Sequence, residues 1–233
     1  MNPTISIIIP ALNEADSIKQ TLEAVKIFGK ETEIIVVDGG STDETILIAE
    51  TFDVKILRSP RGRGMQMHAG AREAKGDVLW FLHADTIPEF DAIVEIKKAL
   101  ENSEIVAGNF TICFDGKNSA AKFLTWLYPN LRKIRLIYGD SAIFVRREVY
   151  EKTGGFKPFP IFEDLDLVRR LKPFGQIIYL PVKVTTSSRR FENSSFILTF
   201  LRWSILQIFY WLGVSPYTLG KLYLPVRRKT KRS

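Results

Sequence analysis

Apolar residues fall along this chain in two alternating patterns, unbroken β-branched runs and spaced helical faces. Ile5 to Ile9 reads ISIII, and Asn13 to Phe28 then places Ile18, Leu22, Val25 and Ile27 at helical intervals. Glu33 to Val37 (EIIVV) is a second run, closed by Asp38-Gly39-Gly40, after which Ser41, Thr42 and Asp43 can cap a helix reaching about Phe52. Val54 to Leu57 is a short third strand. The segment SPRGRG is too rich in glycine and arginine for a regular element, and a small-residue helix from about Met65 to Ala74, ended by Gly76, precedes a fourth run at Val78. Strands that are apolar throughout belong to a parallel sheet covered on both faces. The predicted fold class is α/β, a Rossmann-like, mostly parallel central sheet flanked by helices.

The fourth run, VLWFLHADT from Val78 to Thr86, turns from buried strand to a polar tip with His83, Asp85 and Thr86, and Pro88 is expected to block regular continuation. Ligands gather where such strands end at their carboxyl side, so a carboxylate there points to a site. Its structural alternative is capping of the next helix, which is expected from about Glu89 to Leu100. Further on, Ile105 to Phe114 reads as a strand, Ala120 to Tyr128 as a helix, and AIFV after Gly139-Asp140-Ser141 as a buried strand. Glu148 to Thr153 is a helical turn. A helix opening at Phe162-Glu163-Asp164 sets Leu165, Val168 and Leu171 on one face, and Ile177 to Leu180 returns as a strand.

Phe196 to Val214 is 19 residues with one charge, Arg202, a borderline length for a membrane span. Thr199, Arg202 and Gln207 fall on one side and Trp203, Tyr210 and Trp211 are present, so a partly buried or interfacial helix is expected instead. Packing on the domain or on a second copy in a homodimer, and contact with a bilayer, both stay open, the basic tail favouring the bilayer.

The 233 residues, 45% hydrophobic and 25% charged, suffice for a full core. A single cysteine, Cys113, excludes a disulfide framework and fits a reducing compartment; with only His68 and His83 beside it, no closed zinc site can form. MNPTISIIIPALNE lacks the basic lead of a secretory signal, so a cytoplasmic place, peripheral on the inner face of the cell membrane, is expected. The net charge of +7 gathers at Arg58, Arg61 and Arg63, at Arg132, Lys133 and Arg135, and at Arg227, Arg228, Lys229, Lys231 and Arg232. Such groups suit the phosphates of a nucleotide or an anionic lipid. No nucleic-acid partner is expected, since no zinc-finger or RNP-type signature is present.

Four acidic positions stand at strand ends or loop edges: Glu14, Asp38, Asp85 and the Glu163-Asp164 pair. Asp38 before two glycines can accept hydrogen bonds from a base or ribose, helix capping being its alternative. Asp85 is a hard oxygen ligand for a divalent metal on a diphosphate, completed by phosphate oxygens and water. Arg61 and Arg63, beside Gly62 and Gly64, can add charge-assisted bonds. Asp164 at a helix start can meet a substrate hydroxyl, with N-capping shared with Glu163 as the alternative. No GxGxxG or GxxxxGK[ST] is present, so phosphates are held another way. His68 reads as structural, and His83 as the histidine placed to touch ligand or metal.

The ordered set PALNE (Pro10 to Glu14), VVDGGSTDET (Val36 to Thr45), GRGMQMHAGAREAKGD (Gly62 to Asp77), FLHADT (Phe81 to Thr86), GDSAIFVRREVYEKTGGF (Gly139 to Phe156) and FEDLDLVRRL (Phe162 to Leu171) resembles glycosyltransferase family 2, with the GT-A fold, over about residues 4 to 180. The resemblance implies a donor of UDP-sugar or GDP-sugar type lying along Pro10, Glu14, Asp38 and Asp85, with Gly40, Arg63, Gly64 and His83 completing its site. It also implies a divalent metal, Mn²⁺ or Mg²⁺, at Asp85, where His83 is read from its place on the same strand edge as a second contact, and Asp164 as the base that deprotonates the acceptor. Residues 1–190 then form the transferase domain, a nucleotide half to about residue 100 and an acceptor half of 101–190, with 191–233 as a C-terminal helical extension and basic tail. One departure stands out: His83-Ala84-Asp85 occupies the place of a frequent Asp-Ala-Asp, which predicts a weaker or manganese-leaning site. Arg202-Trp203 resembles the end of the Gln-x-x-Arg-Trp motif of processive members, but Thr199 replaces the glutamine. The expected activity is inverting transfer of a single hexosyl unit to an acceptor hydroxyl, of a lipid or other membrane-located molecule. The alternatives are a sugar-nucleotide nucleotidyltransferase, whose glycine-rich, lysine-bearing loop PALNEADS does not provide, and a non-catalytic nucleotide-sugar binding protein.

Overall fold

The computed structural model describes residues 3–116, 125, 142–187 and 196–223. The expected helix at 120–128, the basic group at 132–135, Gly139-Asp140-Ser141 and the basic tail lie outside the described residues. Strands β1 (Ile5–Ala11), β2 (Thr32–Asp38), β3 (Lys55–Arg58) and β4 (Val78–Phe81) pair in parallel, as their unbroken apolar runs predict. Helices α1 (Ile18–Lys26), α2 (Thr45–Ala49) and α3 (Arg63–Glu73) connect them.

Antiparallel pairing enters in the second half. After β5 (Thr86–Pro88) and α4 (Ala92–Ala99) come β6 (Ile105–Phe114), β7 (Phe144–Arg146), α5 (Arg147–Lys152), α6 (Glu163–Leu171) and β8 (Gln176–Thr186). The described strands form one eight-stranded sheet, ordered β3-β2-β1-β4-β7-β6-β8-β5, with β7 antiparallel to both β4 and β6. Two C-terminal helices follow, α7 (Phe196–Trp211) and α8 (Pro216–Leu222).

Alternate residues of each strand feed two cores. Ile7, Ile9, Val36 and Trp80 pack with Ile18, Leu22 and Ile96 on one face, whereas Ile8, Val37, Leu79 and Phe81 pack with Met67, Tyr150 and Leu167 on the other. That two-sided burial is why the strands lack alternation.

Several boundaries differ from the sequence pattern, each for a local reason. β1 runs through Pro10 to Ala11, because β4 pairs only with Ile5 to Ile8 and leaves no ladder partner on that side for the missing N–H. Pro88 does not stop regular structure: it ends β5, which pairs antiparallel with β8 and turns the chain along the sheet's far edge. The helix after it begins at Ala92 rather than Glu89, with Asp91 at its N-cap position. Asn13 takes a left-handed φ of 55°, which holds the start of α1 back to Ile18. In α6 the buried apolar face is Leu167, Val168 and Leu171, Leu165 lying only half-buried, because Glu163, Asp164 and Asp166 are themselves turned inward.

Candidate active site

The carboxyl ends of β1 and β2 lie side by side, with Pro10 opposite Val37 and Ala11 opposite Asp38. Buried Gln66, from α3, locks them: its Nε2 donates to the carbonyls of Ala11 and Val37, each at 2.8 Å. The two following loops are stitched together. The Asn13 amide donates to Ser41 Oγ at 2.9 Å, the Thr42 amide donates to Asn13 Oδ1 at 2.8 Å, and the Glu14 amide donates to Thr45 Oγ1 at 2.7 Å. Asp38, buried, accepts the Ser41 amide on Oδ1 at 2.9 Å, so one carboxylate oxygen turns the loop at the rim. Gly40 beside it has a φ of 94°. Glu14 Oε2 accepts from Ser17 Oγ at 2.8 Å. These bonds build a firm floor of loop backbone, of the kind a flat ligand can rest on.

Beyond β4 the backbone bends sharply, the Thr86 amide reaching the His83 carbonyl at 3.1 Å. Thr21 Oγ1 donates to the Ala84 carbonyl at 2.9 Å and the Ser187 amide to that of Asp85 at 3.2 Å, so this tip is held from both sides. The side chains of His83 and Asp85 are half-buried. No group of three His, Cys, Asp or Glu residues placed to hold a metal ion occurs among the described residues. A carboxylate with one imidazole is a partial donor set, and it fits a hexacoordinate cation only where substrate oxygens and water complete the shell.

The third part of the rim is the start of α6. Phe162 stands at the N-cap position with a left-handed φ of 63° and makes no side-chain cap bond of its own. Asp164 is 5% exposed and its Oδ1 accepts the amide of Leu165 at 2.8 Å, which satisfies one of the first-turn donors. Glu163 is buried and its Oε1 takes the Nε of Arg63, so the SPRGRG segment is tied to the opposite half of the chain. Contrary to the loop expected there, Arg63 and Gly64 form the first turn of α3. A Cβ on Gly64 would lie 2.7 Å from the Lys157 carbonyl, so only glycine permits this approach. Asp166 pairs with Arg170 at 2.6 Å, and Arg170 also donates to the carbonyls of Thr153 and Gly155, clamping the loop before α6.

Tyr210, from α7, reaches this same corner, its ring 4.9 Å from that of Phe162. Burial pushes the Tyr210 phenol up; Asp166 and Asp164 add to the rise, and Arg169 and Arg170 oppose it. Residues 6–154 match glycosyl transferase family 2. The chain belongs to that family. Among its relatives, the probable glycosyltransferase YdaM of Bacillus subtilis (strain 168) is 31% identical over 78% of this chain. The chain spans 50% of the length of that relative. Two solved structures share the GT-A fold. One is the mannosyltransferase PcManGT from Pyrobaculum calidifontis in complex with GDP-Man and Mn²⁺ (TM-score 0.64, 22% identity, 79% of this chain and 57% of that one). The other is S. aureus TarS 1-349 in complex with UDP-GlcNAc (TM-score 0.66, 18% identity, 83% and 60%).

In this family 2 chain the structure brings Pro10, Glu14, Asp38 and Gly40 together on one floor, and Arg63 and Gly64 together with the Glu163-Asp164 corner. His83 and Asp85 share the bend after β4. The sequence pattern did not single out Gln66 or Tyr210 at this rim, and it named Glu163 only together with Asp164. A buried glutamine in a small-residue helix was the available signal for the first; the other two act through partners far away in the chain.

Proposed function

We propose that the chain is an inverting glycosyltransferase that moves a single hexosyl unit from a UDP-sugar or GDP-sugar to an acceptor hydroxyl. The observation that carries this reading is Asp164, a buried carboxylate at a helix start, in a corner tied through Glu163 and Arg63 to the nucleotide side. The donor lies along Pro10, Glu14, Asp38 and Gly40, with Arg63, Gly64, His83 and Asp85 at its diphosphate end. Asp164 takes the proton of the acceptor hydroxyl as its oxygen bonds to the anomeric carbon on the face opposite the diphosphate. The bond from that carbon to the diphosphate oxygen breaks, and the nucleoside diphosphate leaves. Asp85 with His83 would hold a divalent cation, which supplies charge neutralisation of the leaving diphosphate. Support comes from the GDP-Man, UDP-GlcNAc and Mn²⁺ in the similar structures. The acceptor side is residues 101–190, and the acceptor is a lipid or other membrane-located molecule, met by peripheral contact through the extension 191–233.

Incubating the chain with a panel of nucleotide sugars and Mn²⁺ tests this. Release of UDP or GDP supports transfer; release of pyrophosphate would make the chain a nucleotidyltransferase, and no release would make it a binding protein.

A further inference from the structure

Helix α7 is apolar on two opposite faces. One is packed: Leu206 and Gln207 are buried, Trp203 leans on the core, and Tyr210 lies against Phe162. The other is bare. Leu198, Leu201, Ile205, Ile208 and Phe209 recur at intervals of one, three or four residues on that side, all exposed, with Leu212 just past the helix end. A helix that is hydrophobic all round is normally buried all round, so the bare face calls for a cover. No helix among the described residues is long and apolar enough to cross a membrane.

Charge identifies the cover. All 26 acidic residues of the chain precede Asn193, whereas Arg202, Lys221 and the five basic residues of the tail follow it, so this segment carries the whole net charge of +7. An apolar helix face with cations and no acids in the same segment matches an anionic lipid surface, where apolar burial and headgroup attraction act together. We infer that the α7–α8 pair is a docking face for an anionic bilayer, and that it holds the acceptor corner at that surface. The geometry for the second part is on the packed side. Tyr210 meets Phe162, Tyr217 of α8 meets Phe159 at 5.4 Å, and Gly220 comes so close to Pro160 that a Cβ there would lie 2.3 Å from the ring. Arg202 donates to the Leu222 carbonyl and keeps the two helices together. The loop that leads into Asp164 thus rests on helices whose outer side faces lipid. This deepens, and for its purpose rests on, the reading of a membrane-located acceptor.

The test is co-sedimentation of the full chain with phosphatidylcholine vesicles and with vesicles containing phosphatidylglycerol. Binding to the anionic vesicles is expected at lipid concentrations about tenfold lower, a gap that narrows as salt is raised. Leu201→Glu with Ile208→Glu, at positions 53% and 50% exposed, should abolish pelleting without moving the urea midpoint, whereas Leu47→Glu, at an equally bare leucine of α2 (65%), should not. Neutralising Arg227, Arg228 and Lys229 to Gln should close the gap between vesicle types. Asp164→Asn should pellet like the parent, so lost transfer chemistry and lost docking are told apart. Equal binding to both vesicle types, or unaltered binding by the double variant, overturns the inference. So does a lipid-free dimer that the double variant dissociates, which would make a second copy the cover.

Discussion

Asp164 combines two demands on one side chain. Its Oδ1 already holds the Leu165 amide, so replacing it with asparagine, nearly the same in shape, keeps the helix start while removing the base. Asp164→Asn should lower the rate of sugar transfer by about 10² to 10⁴-fold with UDP or GDP affinity unchanged, read by single-turnover kinetics and nucleotide titration. A parallel fall in nucleotide affinity would instead make Asp164 a structural cap. His83 directly precedes Ala84, whose carbonyl is pinned by Thr21, so the backbone beside it is held in place. His83→Asp should raise activity with Mg²⁺ relative to Mn²⁺; identical metal curves for parent and variant would remove His83 from the site. Both residues were legible in the sequence because each sits at a strand or helix boundary, where the apolar pattern breaks. Glu163 was legible only as a neighbour of Asp164, since its role comes from Arg63, 100 positions away.

Helix α3 shows how an element with little amphipathic pattern becomes central to the site. It lies directly on β1 and β2: a Cβ on Gly70 would come 2.5 Å from Ile8 Cγ2 and 2.9 Å from Val37 Cγ2. Gly70→Ala gains about 1 kcal/mol of helix propensity but must push side chains or the helix aside, at about 1–3 kcal/mol in a packed core. The second effect should win, so the variant should unfold at lower urea. Because the same helix carries Arg63, Gly64 and Gln66, nucleotide affinity should fall as well. An unchanged midpoint would show that the helix can lift freely. The sequence placed a small-residue helix here yet left its first turn in a loop, since Pro60, Gly62 and Gly64 interrupt the helical signal and the seat is formed by the sheet beneath.

Across the whole molecule, stability should depend on pH through His68. Burial first, and Arg72 second, push its pKa below the usual value. Beside it the Tyr150 oxygen accepts the Phe156 amide at 3.0 Å and lies 3.1 Å from His68 Nδ1, where the phenol can donate to a neutral ring. Burial also raises the pKa of Tyr150, so that proton stays in place. Below about pH 6.5 the unfolded chain takes up a proton that folded His68 resists, so stability is full above that pH and declines as pH falls toward the folded pKa. Thermal unfolding from pH 7.5 to 5 should show the decline in the parent and a flatter profile in His68→Gln; equal slopes would place the effect elsewhere. The C-terminal helices also act at this scale. The polar side expected of Thr199, Arg202 and Gln207 does not form as a unit, since Gln207 is buried and Arg202 exposed. By itself the sequence determined the parallel half of the sheet and which residues stand at its carboxyl rim, because continuous β-branched runs and the polar breaks after them are local properties of the chain. Only the tertiary structure decided that Arg63 meets Glu163, that Phe162 opens α6 in a left-handed turn, and that Tyr210 leans on that corner. Those contacts join segments far apart in sequence, where no periodicity can report which side chains will meet.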